Sequence, residues 1–299
     1  MNFRDMNFHD RPIGIFDSGV GGLTVLRALR ERLPSEALLY LGDTARLPYG
    51  TKSPETIARY AVQAAGLLVE RGIKLLVVAC NTASAHALDA LRDAYPNIEV
   101  TGVIEPGAEA ACAASAAGRI AVIATESTAR AGAYESAIHR IRSDAEVVTQ
   151  ACSVFVALAE EGWLDGTVAE AAARRYLAPL FEGAGPRPDT LVLGCTHFPL
   201  LSPVLKTVVG PDVVLVDSAV TTAEVVARML IRAGVAAGNG AAPTPAPAPA
   251  PIRLLATDAP DRFARVAANF LPFPISAAMV ELVDLQQAGP KPARLTAPL

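Results

Sequence analysis

Residues 73–84 read IKLLVVACNTAS. The short unbroken apolar run from Leu75 to Ala79 suits a strand buried on both faces and is too short for a globular helix. Cys80, Asn81 and Thr82 follow it directly, at the carboxyl end of that strand. Comparable runs recur along the chain: PIGIFD ending at Asp17, ALLYLGD at Asp43, IEVTGV at 98–103, RIAVIAT at Thr125, AEVVT at Thr149, TLVLGC at Cys195 and VVLVDS at Ser218. Amphipathic stretches such as LTVLRALRERL (23–33) and PETIARYAVQAAGLLVERG (54–72) lie between them. This alternation predicts an α/β protein with mostly parallel, doubly wound sheets and helices on both faces.

LLVVACNTAS (75–84) and TLVLGCTHFP (190–199) share one plan: an apolar strand, a small residue, a cysteine, then Asn or Thr. Cys80 and Cys195 are 115 positions apart, about one domain. The repeat predicts two similar α/β lobes, each presenting one cysteine at the same structural place. At 299 residues with 52% hydrophobic side chains, the chain has material for two cores. In such folds ligands bind beyond the carboxyl ends of strands. Asp17-Ser18, Asp43-Thr44, Cys80-Asn81-Thr82, Thr125 and Cys195-Thr196-His197 all stand there. Any one of these polar residues is as well explained as a helix N-cap; the set, with two cysteines in it, is not.

Composition excludes several classes. A net charge of -4 without a dense Lys/Arg cluster offers no footprint for nucleic acid or an anionic membrane. No apolar run is long enough for a membrane span, and MNFRDMNFHDR is too polar for a secretory core, so cytoplasm is the expected compartment. Cys80, Cys112, Cys152 and Cys195 are too widely spaced for a zinc knuckle or a redox pair, and are expected as free thiols. Cys112 lies in a small-residue helix and reads as packing; Cys152 is expected near the second lobe's site. His9, His86 and His139 show no ligand spacing, so no metal is expected. None of Lys52, Lys74, Lys206 and Lys291 stands in a context for a pyridoxal Schiff base.

Inverting a stereocentre by proton transfer needs one group to remove the α-hydrogen and a second to deliver a proton to the opposite face. A thiolate and a thiol form a chemically matched pair for this, because a free thiol titrates at about 8.5, near working pH. Cys80 and Cys195 are each expected to open a helix, whose positive end favours thiolate. His197 stands two residues beyond Cys195 and could exchange its proton; Asp17 could serve Cys80, or could simply cap the next helix. The loop DSGVGGLT (17–24) lacks the spacing of a dinucleotide loop and the lysine of a P-loop. It could cradle a phosphate or offer backbone N–H groups to a substrate carboxylate. LPYG (47–50) adds a turn with a backbone edge and a phenol, a second carboxylate clamp unless it is an ordinary turn.

The segments IGIFDSGVGGLTVL, YLGDTARLPYG, VACNTASA and LGCTHFPLL, in this order, resemble the glutamate racemases of the aspartate/glutamate racemase superfamily. The likeness runs from about residue 12 to 218 and resumes at LLATDAPDRFARVAANFL (254–271). It implies a cofactor-independent isomerase that interconverts L- and D-glutamate for peptidoglycan, with the site in a cleft between two lobes and a homodimeric assembly. Carried over by motif, Cys80 and Cys195 would be the proton donors and acceptors, with Cys80 acting on D-glutamate and Cys195 on L-glutamate. Asp17, His197 and Glu160 would assist. Asp17, Ser18, Pro48, Tyr49, Gly50, Asn81, Thr82, Thr125, Thr128, Thr196 and His197 would hold the substrate. Glu161 competes with Glu160 for its role, and Ala124 stands where the family usually has glycine.

The expected lobes are 1–103 plus 217–299, and 104–216. The Pro/Ala-rich stretch 236–251 reads as a surface linker and residues 290–299 as a loose tail. An aspartate racemase, or another amino-acid racemase of the superfamily, is the nearest alternative. A non-catalytic two-lobed protein that binds a ligand or inhibits a partner is the alternative of another class.

Overall fold

The computed structural model describes residues 3–183, 185–237 and 250–285. Most of the stretch 236–251 and the whole tail 290–299 therefore lie outside the described residues. Among the described residues ten strands form two sheets. They are β1 (Ile13–Asp17), β2 (Leu38–Gly42), β3 (Leu75–Val78), β4 (Glu99–Gly102), β5 (Arg119–Ala124), β6 (Glu146–Ala151), β7 (Thr190–Gly194), β8 (Val214–Asp217), β9 (Ile252–Ala256) and β10 (Val280–Leu282).

The six-stranded sheet has the order β10-β9-β2-β1-β3-β4 and the four-stranded sheet β6-β5-β7-β8. Every recorded pairing is parallel. The order β2-β1-β3-β4 in the first sheet is repeated as β6-β5-β7-β8 in the second. β3 and β7, which precede Cys80 and Cys195, hold the same place in their sheets.

The central strands are buried along their whole length, as their unbroken aliphatic runs require. Alternate residues feed opposite faces. On the first sheet Ile13, Ile15, Leu38, Tyr40, Leu75 and Val77 pack with helices α1 (Leu23–Arg32), α11 (Ser218–Arg232) and α12 (Pro260–Ala267). Phe16, Leu39, Leu41, Leu76 and Val78 pack on the other side with α2 (Pro54–Glu70), α3 (Asn81–His86) and α4 (Leu88–Ala94). On the second sheet Ala121, Ile123, Leu191 and Leu193 face α8 (Val154–Glu161), α9 (Gly166–Phe181) and α10 (Ser202–Val209). Ile120, Val122 and Val192 face α5 (Ile104–Ala114) and α7 (Ala133–Ile141). The short helix α6 (Glu126–Ala131) follows β5.

Local chemistry sets the helix ends. Ser53 caps α2 by accepting from the Thr56 N–H, with Pro54 in the first turn. The edge strand β10 is the element the apolar pattern missed. It is three residues long, with Glu281 and Leu282 exposed, so no run of buried side chains marks it.

In each sheet the chain runs one way from the first strand and the other way from the third. The switch lies between β1 and β3 in one sheet and between β5 and β7 in the other. Asp17 and Cys80 flank the first switch; Thr125 and Cys195 flank the second. Ligands gather at such points because no crossover covers the strand ends there.

Candidate active site

The two switch points open on one cavity of about 340 Å³. Cys80, Asn81, Thr82, Ser18, Pro48, Tyr49 and Gly50 line it from the first sheet's side, and Thr125, Glu160, Cys195, Thr196 and His197 from the second's. Two residues expected at the site stand behind its wall. Asp17 is buried next to Cys80, and Thr128 closes a ring of three hydroxyls. Thr82 Oγ1 lies 3.1 Å from both Thr125 Oγ1 and Thr128 Oγ1, which are 3.0 Å from each other. The ring joins α3 to α6, and so one sheet's half of the site to the other's.

Cys80 caps α3, its sulfur accepting from the Ala83 N–H at 3.4 Å and donating to Ser18 Oγ at 3.4 Å. Burial, and then the negative charge of Asp17, push its thiol up to about 12 against these hydrogen bonds. This corrects the expectation that the helix start leaves a thiolate. α3 has six residues, and its dipole does not offset desolvation in a buried site. Asp17 Oδ2 accepts from the Gly19 N–H at 2.8 Å, while Oδ1 is buried without a hydrogen-bond partner among the described residues. Burial raises this carboxyl above its ordinary range; the charge of His197 and the N–H groups of Gly19 and Gly22 offset only part of that.

Cys195 does not open a helix, a second correction. It lies in a turn, three residues ahead of the 3₁₀ helix Phe198–Leu201. With Pro199 in that first turn, regular helix begins only at Ser202. The help comes from side chains instead. Cys195 Sγ is 3.7 Å from His197 Nδ1, and His197 Nε2 is 3.2 Å from Glu160 Oε1. Burial works against the imidazolium, but the hydrogen bonds and charges of Cys195 and Glu160 outweigh it and hold His197 up at about 10. Burial also raises Glu160, yet its hydrogen bond to His197 and the charges of His197 and Arg262 bring it below the usual range. Glu161 is exposed, whereas Glu160 lines the cavity and meets His197.

The Gly-rich loop joins the halves. A Cβ on Gly21 would overlap Thr196 Oγ1 and the His197 ring, so only glycine permits this approach. Thr24 Oγ1 donates to the Thr196 carbonyl at 3.0 Å. In the LPYG turn the Tyr49 hydroxyl donates to Asp43 Oδ2 at 2.5 Å. The phenol is thus committed to a buried carboxylate and is not a clamp for substrate; the turn's backbone and Pro48 remain on the wall. Asn81 Oδ1 accepts from the Tyr134 hydroxyl at 2.7 Å, and its buried Nδ2 has no hydrogen-bond partner among the described residues.

Sequence reasoning missed Thr51, Glu126 and three residues of one helical face, Ser153, Val156 and Ala157. The signal was present: 153, 156, 157 and 160 have the spacing of one helix side. Cys152 is fully buried in the core of the second sheet, with burial and then the charge of Cys195 pushing it up to about 12. Cys112 is half-buried against α7. All four cysteines are free. Among the described residues no three His, Cys, Asp or Glu side chains are grouped to hold a metal ion, and no helix is long and apolar enough to cross a membrane.

Two parallel sheets that place a cysteine each at one cavity define a class, and comparison with known proteins identifies it. The family model described as Asp/Glu/Hydantoin racemase matches residues 22–226, and the chain belongs to this family. It is 52% identical over 266 residues to the glutamate racemase of Geobacter metallireducens, an alignment covering 87% of this chain and 93% of that protein. The crystal structure of glutamate racemase from Francisella tularensis in complex with D-glutamate superposes with a TM-score of 0.82 at 34% identity, over 93% of this chain and 98% of that one. The glutamate racemase of Thermus thermophilus, solved with β-chloro-D-alanine, superposes with a TM-score of 0.79 at 40% identity, over 93% and 98%.

Proposed function

We propose that the protein interconverts L- and D-glutamate by two-base proton transfer between Cys80 and Cys195. The observation that carries this is their placement: topologically equivalent cysteines at the two switch points line one cavity, each beside its own ionisable partner. A cavity of about 340 Å³ suits a small amino acid. The unpartnered Nδ2 of Asn81 is a donor for a substrate carboxylate.

One cysteine, as thiolate, removes the α-proton, and the C–H bonding pair passes to Cα and its carboxylate. The opposite thiol then gives its proton to the other face. One sulfur gains a proton and the other loses one, so nothing is oxidised or reduced and the reaction needs no added cofactor. Asp17 and His197 exchange protons with Cys80 and Cys195 to restore either starting state. Cys80 serves D-glutamate and Cys195 L-glutamate in this scheme. The proposed lobes, 1–103 plus 217–299, and 104–216, are supported by the grouping of β1–β4, β9 and β10 in one sheet and β5–β8 in the other, although β8 carries the second sheet one residue further, to Asp217. The relatives' shared name, glutamate racemase, supports glutamate as the substrate; a cytoplasmic place, a role in supplying D-glutamate for peptidoglycan and a homodimeric assembly are proposed on the resemblance of the motifs alone.

The test is circular dichroism of purified protein on L- and D-glutamate, and on both aspartates, with nothing added. Loss of optical activity from either glutamate enantiomer is expected. Faster turnover of aspartate would reassign the substrate, and full turnover by a Cys80→Ser variant would overturn the mechanism.

A further inference from the structure

We infer that Arg262, on the helix α12 packed against the six-stranded sheet, is a positioning residue that holds Glu160 against His197 behind Cys195. Its Nη2 donates to Glu160 Oε2 at 2.7 Å, while Glu160 Oε1 meets His197 Nε2 at 3.2 Å and His197 Nδ1 meets Cys195 Sγ at 3.7 Å. One carboxylate is thereby gripped at both oxygens, one by the imidazole and one by the guanidinium. The chain of contacts runs from buried sulfur to a cation whose side chain is 40% exposed.

The same stretch of chain holds the neighbouring parts by separate means. Asn269 Nδ2 donates to the Glu160 carbonyl at 2.9 Å, steadying the end of α8. The Phe270 ring meets His197 edge-on, with centroids 5.4 Å apart and planes at 87°. Backbone and imidazole therefore keep their supports when Arg262 is removed; what is lost is the partner of one carboxylate oxygen. The charged groups around this relay are Cys195, Asp17 and Glu160 about His197, and His197, Arg262 and Asp17 about Glu160. Arg262 is the cation at the outer end. Without it, the Glu160 carboxylate has less opposing charge and takes up a proton at higher pH. A protonated Glu160 no longer supports the imidazolium.

The inference rests on the racemase reading for its consequence but not for its first test. In protein carrying ¹³C-glutamate, the Glu160 carboxyl signal, assigned with Glu160→Gln, is expected to titrate at higher pH in Arg262→Ala than in the parent. Arg262→Lys should restore most of the difference. In the pH profile of kcat/KM on glutamate, Arg262→Ala should move the acid limb upward and lose roughly twofold to fivefold, the scale of a partly exposed ion pair. About 1 M salt should shift the parent in the same direction and leave the variant nearly unchanged. An unaltered Glu160 titration in Arg262→Ala overturns the inference, whether or not the protein turns glutamate over. A parent inactive on every amino acid tried, with the titration moved as expected, would overturn only the reading of the function.

Discussion

The two halves of the site are built on the same strand order but solve the problem of a buried thiol differently. At the first switch point the strand beside Cys80 ends in Asp17, a carboxylate with one oxygen unpartnered among the described residues. Burial and that negative charge both disfavour a thiolate, so Cys80 rests as the proton donor. At the second, the equivalent strand is followed by Thr125, and the ionisable partner comes from His197, two residues past the cysteine. There a cation, not an anion, adjoins the sulfur, backed by Glu160 and Arg262. The comparison teaches that a repeated topology places two reactive groups symmetrically without making them electrostatically equal. In the proposed two-base scheme this asymmetry makes Cys80 the thiol that starts protonated.

The largest effect tests the symmetry of placement. Cys80→Ala and Cys195→Ala should each lower racemisation by about four orders of magnitude. In heavy water each variant should still exchange the α-hydrogen of one enantiomer, and the two variants should differ in which. Retention of exchange on the same enantiomer by both would place the thiols on one side of the substrate.

Next, His197→Asn should lower turnover by about a hundredfold. It also carries a stability signature. The folded pKa of His197, about 10, is above its ordinary value near 6.5. Its contribution is therefore fully present below about 6.5 and lost as pH rises toward 10. Melting temperature should fall by several degrees across that window in the parent, and by less in His197→Asn. A parallel fall in both proteins would remove the imidazolium from the account.

On the other half, Asp17→Asn removes the charge that pushes the Cys80 thiol up. Alkylation of Cys80 should then begin at lower pH, even as turnover drops by about tenfold for want of a proton acceptor. Unchanged alkylation would leave burial as the only cause. The smallest effect belongs to Tyr49→Phe. With its hydroxyl committed to Asp43, it should cost about 1–2 kcal/mol of stability in denaturant unfolding and leave KM for glutamate nearly as it was. A large rise in KM would return the phenol to the substrate.

Much of the site was legible because its residues directly follow strands. Cys80, Asn81, Thr82, Thr125, Cys195, Thr196 and His197 line the cavity at the ends of apolar runs whose shortness marks them as strands. Asp17 and Thr128 were visible as types and motif positions, but their places just behind the wall were not, since which side of a turn faces a cavity depends on what packs above it. Ser153, Val156 and Ala157 carried a helical spacing with no chemical mark, and β10 carried no pattern at all.

The amino-acid sequence by itself determined the parallel α/β architecture and the equivalence of the two cysteines, because buried strands need unbroken aliphatic runs and strand ends are where polar groups can stand. Tertiary structure alone decided which ionisable groups stand beside each thiol. Asp17 and Cys80 are 63 positions apart, Glu160 and His197 37, and Arg262 and Glu160 102. Burial and Coulomb interaction depend on distance in space, which no local pattern in the chain encodes.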